Sequence, residues 1–240
     1  MKVSGGKAIY GASVGILMLE ARFPRIPGDM GHAGTWDFPV LYRVVRDASP
    51  DRVVRRGAEG LLPEFIAAAK ALVADGADGI TTNCGFLSLF QTQLSEAVDV
   101  PVMTSSLMQV AMVNSLLPKN KKTGLLTISR STLTAAHLAA AGVPEGTRIG
   151  TTEGGAHFTE AILGDASELD VALAEADNVA AAVDLATANP DLGAIVLECT
   201  NMTPYAAAIR KATGLPVFSM VSGVNWFQSS LAPRQWPSHI

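Results

Sequence analysis

The chain has little with which to grip nucleic acid or enter a membrane. Aromatic residues make up 6% of its 240 residues, and 18 basic against 22 acidic side chains give a net charge of −4. A negative chain without a basic run is a poor match for a polyanion. Long hydrophobic runs are also missing. The longest near the start, Val14 to Leu19, is interrupted by Gly15 and stopped by Glu20. That is too short for a signal-peptide core or a membrane span, so a cytoplasmic protein with neither a nucleic-acid nor a membrane partner is expected. Histidine is scarce, and His32, His137, His157 and His239 show no metal-ligand spacing, so no metal is expected. No GxGxxG follows a strand-like run and SGGKAIYG lacks the Walker spacing, which leaves no nucleotide site. Cysteine is scarcest, with two. In a reducing compartment these are free thiols, not a structural disulfide.

What the chain does have is material for a large core, being 48% hydrophobic and 17% charged. Short apolar runs alternate with longer helical ones, the βα signature of parallel sheets covered by helices. Strands are predicted at Ser13–Leu19, Val40–Val45, Gly79–Thr82, Val102–Thr104, Gly124–Ile128, Gly193–Leu197 and Val217–Met220. Helices are predicted at Leu61–Ala74, Leu89–Ala97, Ser106–Leu117, Thr132–Ala141, Leu169–Ala188 and Pro204–Ala212. In the first helix Leu62, Phe65, Ile66, Ala69, Leu72 and Val73 recur at spacings of three and four. The polar run Pro118 to Lys122 marks a boundary. The expected plan is a first α/β domain from residues 1–117 plus 221–240, and a second from 118–220.

The cysteines occupy matching places in two halves of the sequence, 115 residues apart at positions 84 and 199. Each follows a β-branched apolar run, and each is followed 17 residues later by Pro-Val, at Pro101-Val102 and Pro216-Val217. Ser88 and Thr203 lie four residues past each thiol, and Phe90 and Tyr205 two further on. Ser88 to Gln91 fits a capping box and Thr203-Pro204 an N-cap with proline in the first turn. Ligands of open parallel sheets bind beyond the carboxyl ends of the strands, where both cysteines fall. A helix N-terminus there would favour thiolate. Two thiols facing one carbon from opposite sides form an acid/base pair able to invert it. Donors for the developing enolate are then needed, and Asn83, Thr200, Asn201 and the backbone amides at the two helix starts flank the thiols.

These residues resemble the aspartate/glutamate racemase superfamily, which also holds hydantoin and allantoin racemases, maleate isomerase and arylmalonate decarboxylase. The resemblance runs from Gly15 to about Val221. It implies two pseudo-symmetric parallel-sheet domains with helices on both faces and the active site in the cleft between them. It also implies a cofactor-independent racemase or epimerase, with Cys84 and Cys199 as its two bases. An acidic amino acid is the leading substrate, with a hydantoin-type ring, cis–trans isomerisation or non-catalytic metabolite binding as alternatives. Amino-acid racemases of that group have Asn-Thr after the first cysteine, where this chain has Gly85-Phe86. They have Gly before the second, where it has Glu198. Glutamate racemases have His after Cys-Thr, where it has Asn201. Strand alternation would turn Glu198 to the other face; a structural role and an influence on the thiol both remain open. A homodimer is the default assembly.

The loop from Arg22 to Trp36 is long and would lie over the cleft as a lid. Arg22 or Arg25 would hold a substrate carboxylate, or pair with Glu20 or Asp29. Ser129 follows the first strand of the second half, where the family places hydroxyl donors, and Ser131 reads as the next N-cap. Met103, Met108 and Met112 read as core filling.

Overall fold

A computed structural model describes residues 2–236; Met1 and residues 237–240, among them His239, lie outside the described residues. Eight strands form two four-stranded parallel sheets. The first has the order β2-β1-β3-β4, from β1 (Val14–Leu19), β2 (Val40–Val45), β3 (Gly79–Thr82) and β4 (Val102–Met103). The second repeats it as β6-β5-β7-β8, from β5 (Lys122–Thr127), β6 (Arg148–Thr151), β7 (Leu192–Leu197) and β8 (Val217–Phe218). In each half the central strands are buried along almost their whole length, as sheets covered on both faces require.

Helices α1 (Leu62–Asp75), α2 (Gln91–Ala97), α3 (Gln109–Leu116), α4 (Ala135–Ala140), α6 (Val171–Ala188) and α7 (Ala206–Thr213) match those predicted, each starting one to three residues later and α1 and α7 ending one residue further on. The N-cap of α4 is Thr134, not Ser131; the Thr134 hydroxyl and backbone pair with His137. Helix α1 stops at Gly76, whose φ of 136° and contact with the Ile9 carbonyl admit only glycine.

Three further elements fall outside those predicted. Strand β6 is a partly exposed edge with no alternation. Helix α5 (Phe158–Leu163) is short, and α8 (Met220–Leu231) spaces its buried Met220, Val224 and Phe227 at helical intervals among weak helix formers. The strand expected to reach Met220 ends at Phe218, because Ser219 caps α8 in a capping box with Ser222. Helix α8 leaves the second sheet for the first: a Cβ on Gly79 would strike Phe227 and Leu231, and one on Gly223 would strike Met103. Of the three methionines read as core, Met103 is buried and Met112 is exposed.

Candidate active site

The two halves deliver their thiols by the same local structure. Strand β3 ends at Thr82 and β7 at Leu197; one residue later, after Asn83 and Glu198, comes each cysteine. Each then heads a six-residue 3-10 turn, Gly85–Phe90 or Thr200–Tyr205, that runs into α2 or α7. The caps expected at Ser88 and Thr203 do not form, because both residues lie inside these turns. Ser88 instead donates to the His137 carbonyl, at 3.0 Å, and Gln91 reaches Val102 and Thr104. Phe90 and Tyr205 pack as core, against Phe65 and Phe158 respectively.

Cys84 and Cys199 line one cavity together with Asn83, Glu198 and Asn201. Its other walls are apolar: Leu19, Phe23, Pro50, Val54, Phe86, Ile128, Ile162 and Leu163. The cavity holds about 330 Å³ of space, part of it open to solvent. Both cysteines are free and buried. The Cys199 thiol donates to Asn201 Oδ1 at 3.5 Å, and Asn201 Nδ2 donates to Asp29. Asp29 is ion-paired with Arg25 at 2.8 Å.

Residues 83 and 198 do equivalent work in the two halves. Asn83 Oδ1 accepts the amide of Leu19 at 2.8 Å, just past β1 register partner Leu17. Glu198 Oε2 accepts the amide of Ile128 at 3.4 Å and the Thr127 hydroxyl at 2.7 Å. Glu198 therefore faces the cavity, not the far side, because β7 has ended before it and strand alternation no longer applies. Its Oε1 has no hydrogen-bond partner although the residue is 1% exposed. Gly85 lies against this carboxylate so closely that a Cβ there would collide with Oε1.

Electrostatics correct one expectation: the thiols are not poised as thiolates. Burial pushes the Cys84 thiol well up, the Glu198 carboxylate pushes it further, and the amides of Phe86 and Leu87 only partly oppose this. Cys199 is raised by burial, then by Glu198 and Cys84, against a single opposing amide from Asn201. Burial also lifts Glu198 itself, from 4.5 to about 7, against its bonds from Thr127 and Ile128. A carboxyl raised on folding leaves the unfolded chain with fewer protons than the folded one between those values. Stability is then full below pH 4.5, falls as pH rises, and is lost by about 3 kcal/mol once pH exceeds 7. Replacing Glu198 with Gln is expected to raise the unfolding midpoint at pH 8 and leave it near wild type at pH 4.5, as calorimetry at the two pH values would measure.

The segment from Arg22 to Trp36 contributes Phe23 to the cavity wall and is fastened to the second half at three points. Asp165, after α5, accepts the backbone amides of Arg22 (2.5 Å) and Phe23 (3.2 Å). Asn201 holds Asp29, and Gly28 sits on Pro204. Arg22 does not reach the cavity: its side chain is 82% exposed and pairs with Asp165 at 3.2 Å. Arg25 lies inward, stacked 4.7 Å from the Phe23 ring, with Nη2 buried and unpartnered. Replacing Asp165 with Ala should cost about 1–2 kcal/mol locally. Amide exchange at Arg22 and Phe23 should rise about tenfold while the protection of β1 is kept.

The remaining candidates act around the cavity. Thr200 Oγ1 donates to the Asn83 carbonyl at 2.6 Å, and Ser106 Oγ to that of Leu197 at 2.6 Å, so hydroxyls tie the halves together behind the thiols. Ser129 Oγ donates to Glu153 at 2.7 Å and is not in the cavity wall. Sequence reading misses Asp165, Phe23 and the α5 residues Ile162 and Leu163. No motif marks them, and only folding brings a helix of the second half to the lid. Among the described residues no group of three acidic, histidine or cysteine side chains is placed to hold a metal, and no helix is long and apolar enough to cross a membrane.

No protein-family model matches the chain. Among characterised sequences it is 33% identical over 240 residues to dimethylsulfoniopropionate lyase 7 of Emiliania huxleyi, covering 91% of this chain and 67% of that protein. Lyase 3 of the same organism is 34% identical over 236 residues, covering 91% of this chain and 60% of that protein. The chain thus spans about two thirds or less of the length of these relatives. Among solved structures, a glutamate racemase of Bacillus anthracis superposes with a TM-score of 0.62 at 16% identity, covering 92% of this chain and 81% of that one. An arylmalonate decarboxylase variant gives 0.61 at 18% identity, covering 94% and 97%. The fold is that of the aspartate/glutamate racemase superfamily.

Proposed function

The chain belongs to the dimethylsulfoniopropionate lyase family, and from that premise we propose that it removes a proton from the carbon beside a carboxylate and expels dimethyl sulfide from the next carbon. The single observation that carries this reading is the pair of thiols in one largely apolar cavity. Racemisation and elimination share their first step, proton abstraction next to a carboxylate. The amino-acid racemase expected from the residues therefore differs from a lyase only in the fate of the carbanion. In elimination the C–H pair becomes the C=C bond, and the C–S pair leaves on sulfur as neutral dimethyl sulfide. Acrylate remains, and the proton taken by the thiolate passes to water.

One base suffices for that reaction. Cys84 is the better placed, since two backbone amides face its sulfur where Cys199 has one. Cys199, whose one thiol hydrogen goes to Asn201, would turn it to the carboxylate as enolate character develops. The raised thiols require an activating charge, which a cationic substrate brings with it. The walls are mostly apolar, and a substrate that fills the cavity would displace water and strengthen each of these interactions.

The test is incubation of the purified chain with dimethylsulfoniopropionate in D₂O, with dimethyl sulfide measured in the headspace and the vinyl protons of acrylate by NMR. Aspartate and glutamate enantiomers are run in parallel for α-proton exchange. Release of both products supports the lyase. Exchange with inversion on an amino acid, without release, would return the reading to a racemase.

A further inference from the structure

We propose that Glu198 is the receptor for a cationic onium group, so that the cavity selects substrates carrying a positive charge two carbons from their carboxylate. The proposal rests on the lyase reading for the identity of that cation, and on the cavity itself for its existence.

The backbone at this position asks for little. Its counterpart Asn83 meets the equivalent demand with one neutral oxygen, on the amide of Leu19. Glu198 meets it with Oε2, on Ile128 and Thr127, and has a second oxygen left over. That oxygen is buried and without a partner, in the wall of the cavity that holds both thiols. A buried carboxylate with an unsatisfied oxygen weakens the fold unless something compensates it. Gly85 leaves the space the carboxylate occupies, since a Cβ there would collide with it.

The rest of the wall says which compensation fits. Leu19, Ile128, Ile162 and Leu163 offer no donors to a carboxylate. They suit methyl groups, and Phe23 and Phe86 add aromatic rings, which attract alkylated cations through their quadrupoles. An alkylsulfonium or alkylammonium head has no N–H to satisfy and spreads its charge over its methyls. It is the kind of cation that a single carboxylate oxygen in an apolar, aromatic pocket can hold. A primary ammonium needs an acceptor for each of its three donors, and apart from Glu198 the wall offers only Asn83, Asn201 and the two thiols, which already have partners or are weak acceptors. Binding such a cation also offsets the charge that pushes both thiols up, coupling substrate recognition to ionisation of the base.

Two probes with little tendency to eliminate separate charge from shape: trimethylammoniopropionate, which is cationic, and 4,4-dimethylpentanoate, in which carbon replaces the ammonium nitrogen. Calorimetric titration of the full chain at pH 8 is expected to show at least tenfold tighter binding of the cationic probe. In Glu198→Gln that ratio should fall to about one, with 4,4-dimethylpentanoate binding within about twofold of wild type. Glu198→Asp, which keeps the charge, should retain part of the preference and serves if the Gln variant does not fold. Equal affinities in the wild type, no binding of either probe, or a preference that survives in Glu198→Gln would each overturn the inference. So would a variant that loses kcat with the preference intact, since Glu198 would then be a proton acceptor. The lyase reading fails separately: a wild type that prefers the cation yet releases no dimethyl sulfide keeps the onium site and loses the reaction.

Discussion

Alanine in place of Cys84 is expected to lower dimethyl sulfide release by about 10²–10⁴-fold, the range a positioned acid/base group supplies. Alanine in place of Cys199 should cost far less, on the order of tenfold. The asymmetry is what distinguishes elimination from inversion. Inversion needs a group on each face of the carbon, so either replacement would abolish it. Elimination needs one base and a leaving group. The amides of Phe86 and Leu87 both oppose the rise of the Cys84 thiol, whereas Cys199 has one such amide and the charges of Glu198, Cys84 and Asp29 against it. The check is product release by the two variants at saturating substrate, with their thermal midpoints recorded. Both thiols are buried, so a folding defect must be separated from a catalytic one. Equal losses of 10²-fold or more with folding intact would contradict the single-base assignment.

Alanine at Gly85 should be comparably damaging for a different reason. Its Cβ would meet Glu198 Oε1 and lie 2.5 Å from the Glu198 carbonyl oxygen. The side chain can swing away, but the carbonyl belongs to the junction between β7 and Cys199 and cannot. Relief has to move one thiol relative to the other. Overpacking of this kind costs about 1–3 kcal/mol, and a displacement near 1 Å at reacting groups is worth about 10²-fold in rate. Activity should therefore fall about 10²-fold or more while the unfolding midpoint drops only a few degrees. An unchanged rate would mean that the distance between the 3-10 turn and Glu198 does not set the active geometry.

Every strand but β6, the position of both cysteines past a strand end and their equivalence in the two halves were legible in the sequence. The short runs at Gly79–Thr82 and Leu192–Leu197 carry β-branched residues, are too short for helices and lie between turn signals, which fits buried parallel strands. The repeated Cys to Pro-Val spacing reflects one βα unit used in the same way by each half. Helix α8 falls outside the predicted helices although Met220, Val224 and Phe227 recur at helical spacing: its Gly223 and its serines are weak helix formers, and the capping box and packing on Gly79 help to hold it.

The site divides along the same line. Sequence determined which residue types stand at the strand ends, since chain order alone places Asn83-Cys84-Gly85 and Glu198-Cys199-Thr200 there. The electrostatic character of those residues was decided only by the tertiary structure. A helix start near each cysteine suggested thiolates, but ionisation depends on solvent exclusion and on distant charges, and burial with Glu198 outweighs the local amides. Glu198 could not be assigned a face from alternation because it lies beyond the strand that alternates. Arg22 and Asp165, 143 residues apart, meet because the lid from one half lands on α5 of the other. Local sequence fixes local geometry within a few residues; which charge faces which thiol is set by how two separately readable halves pack, and that is a property of the folded whole.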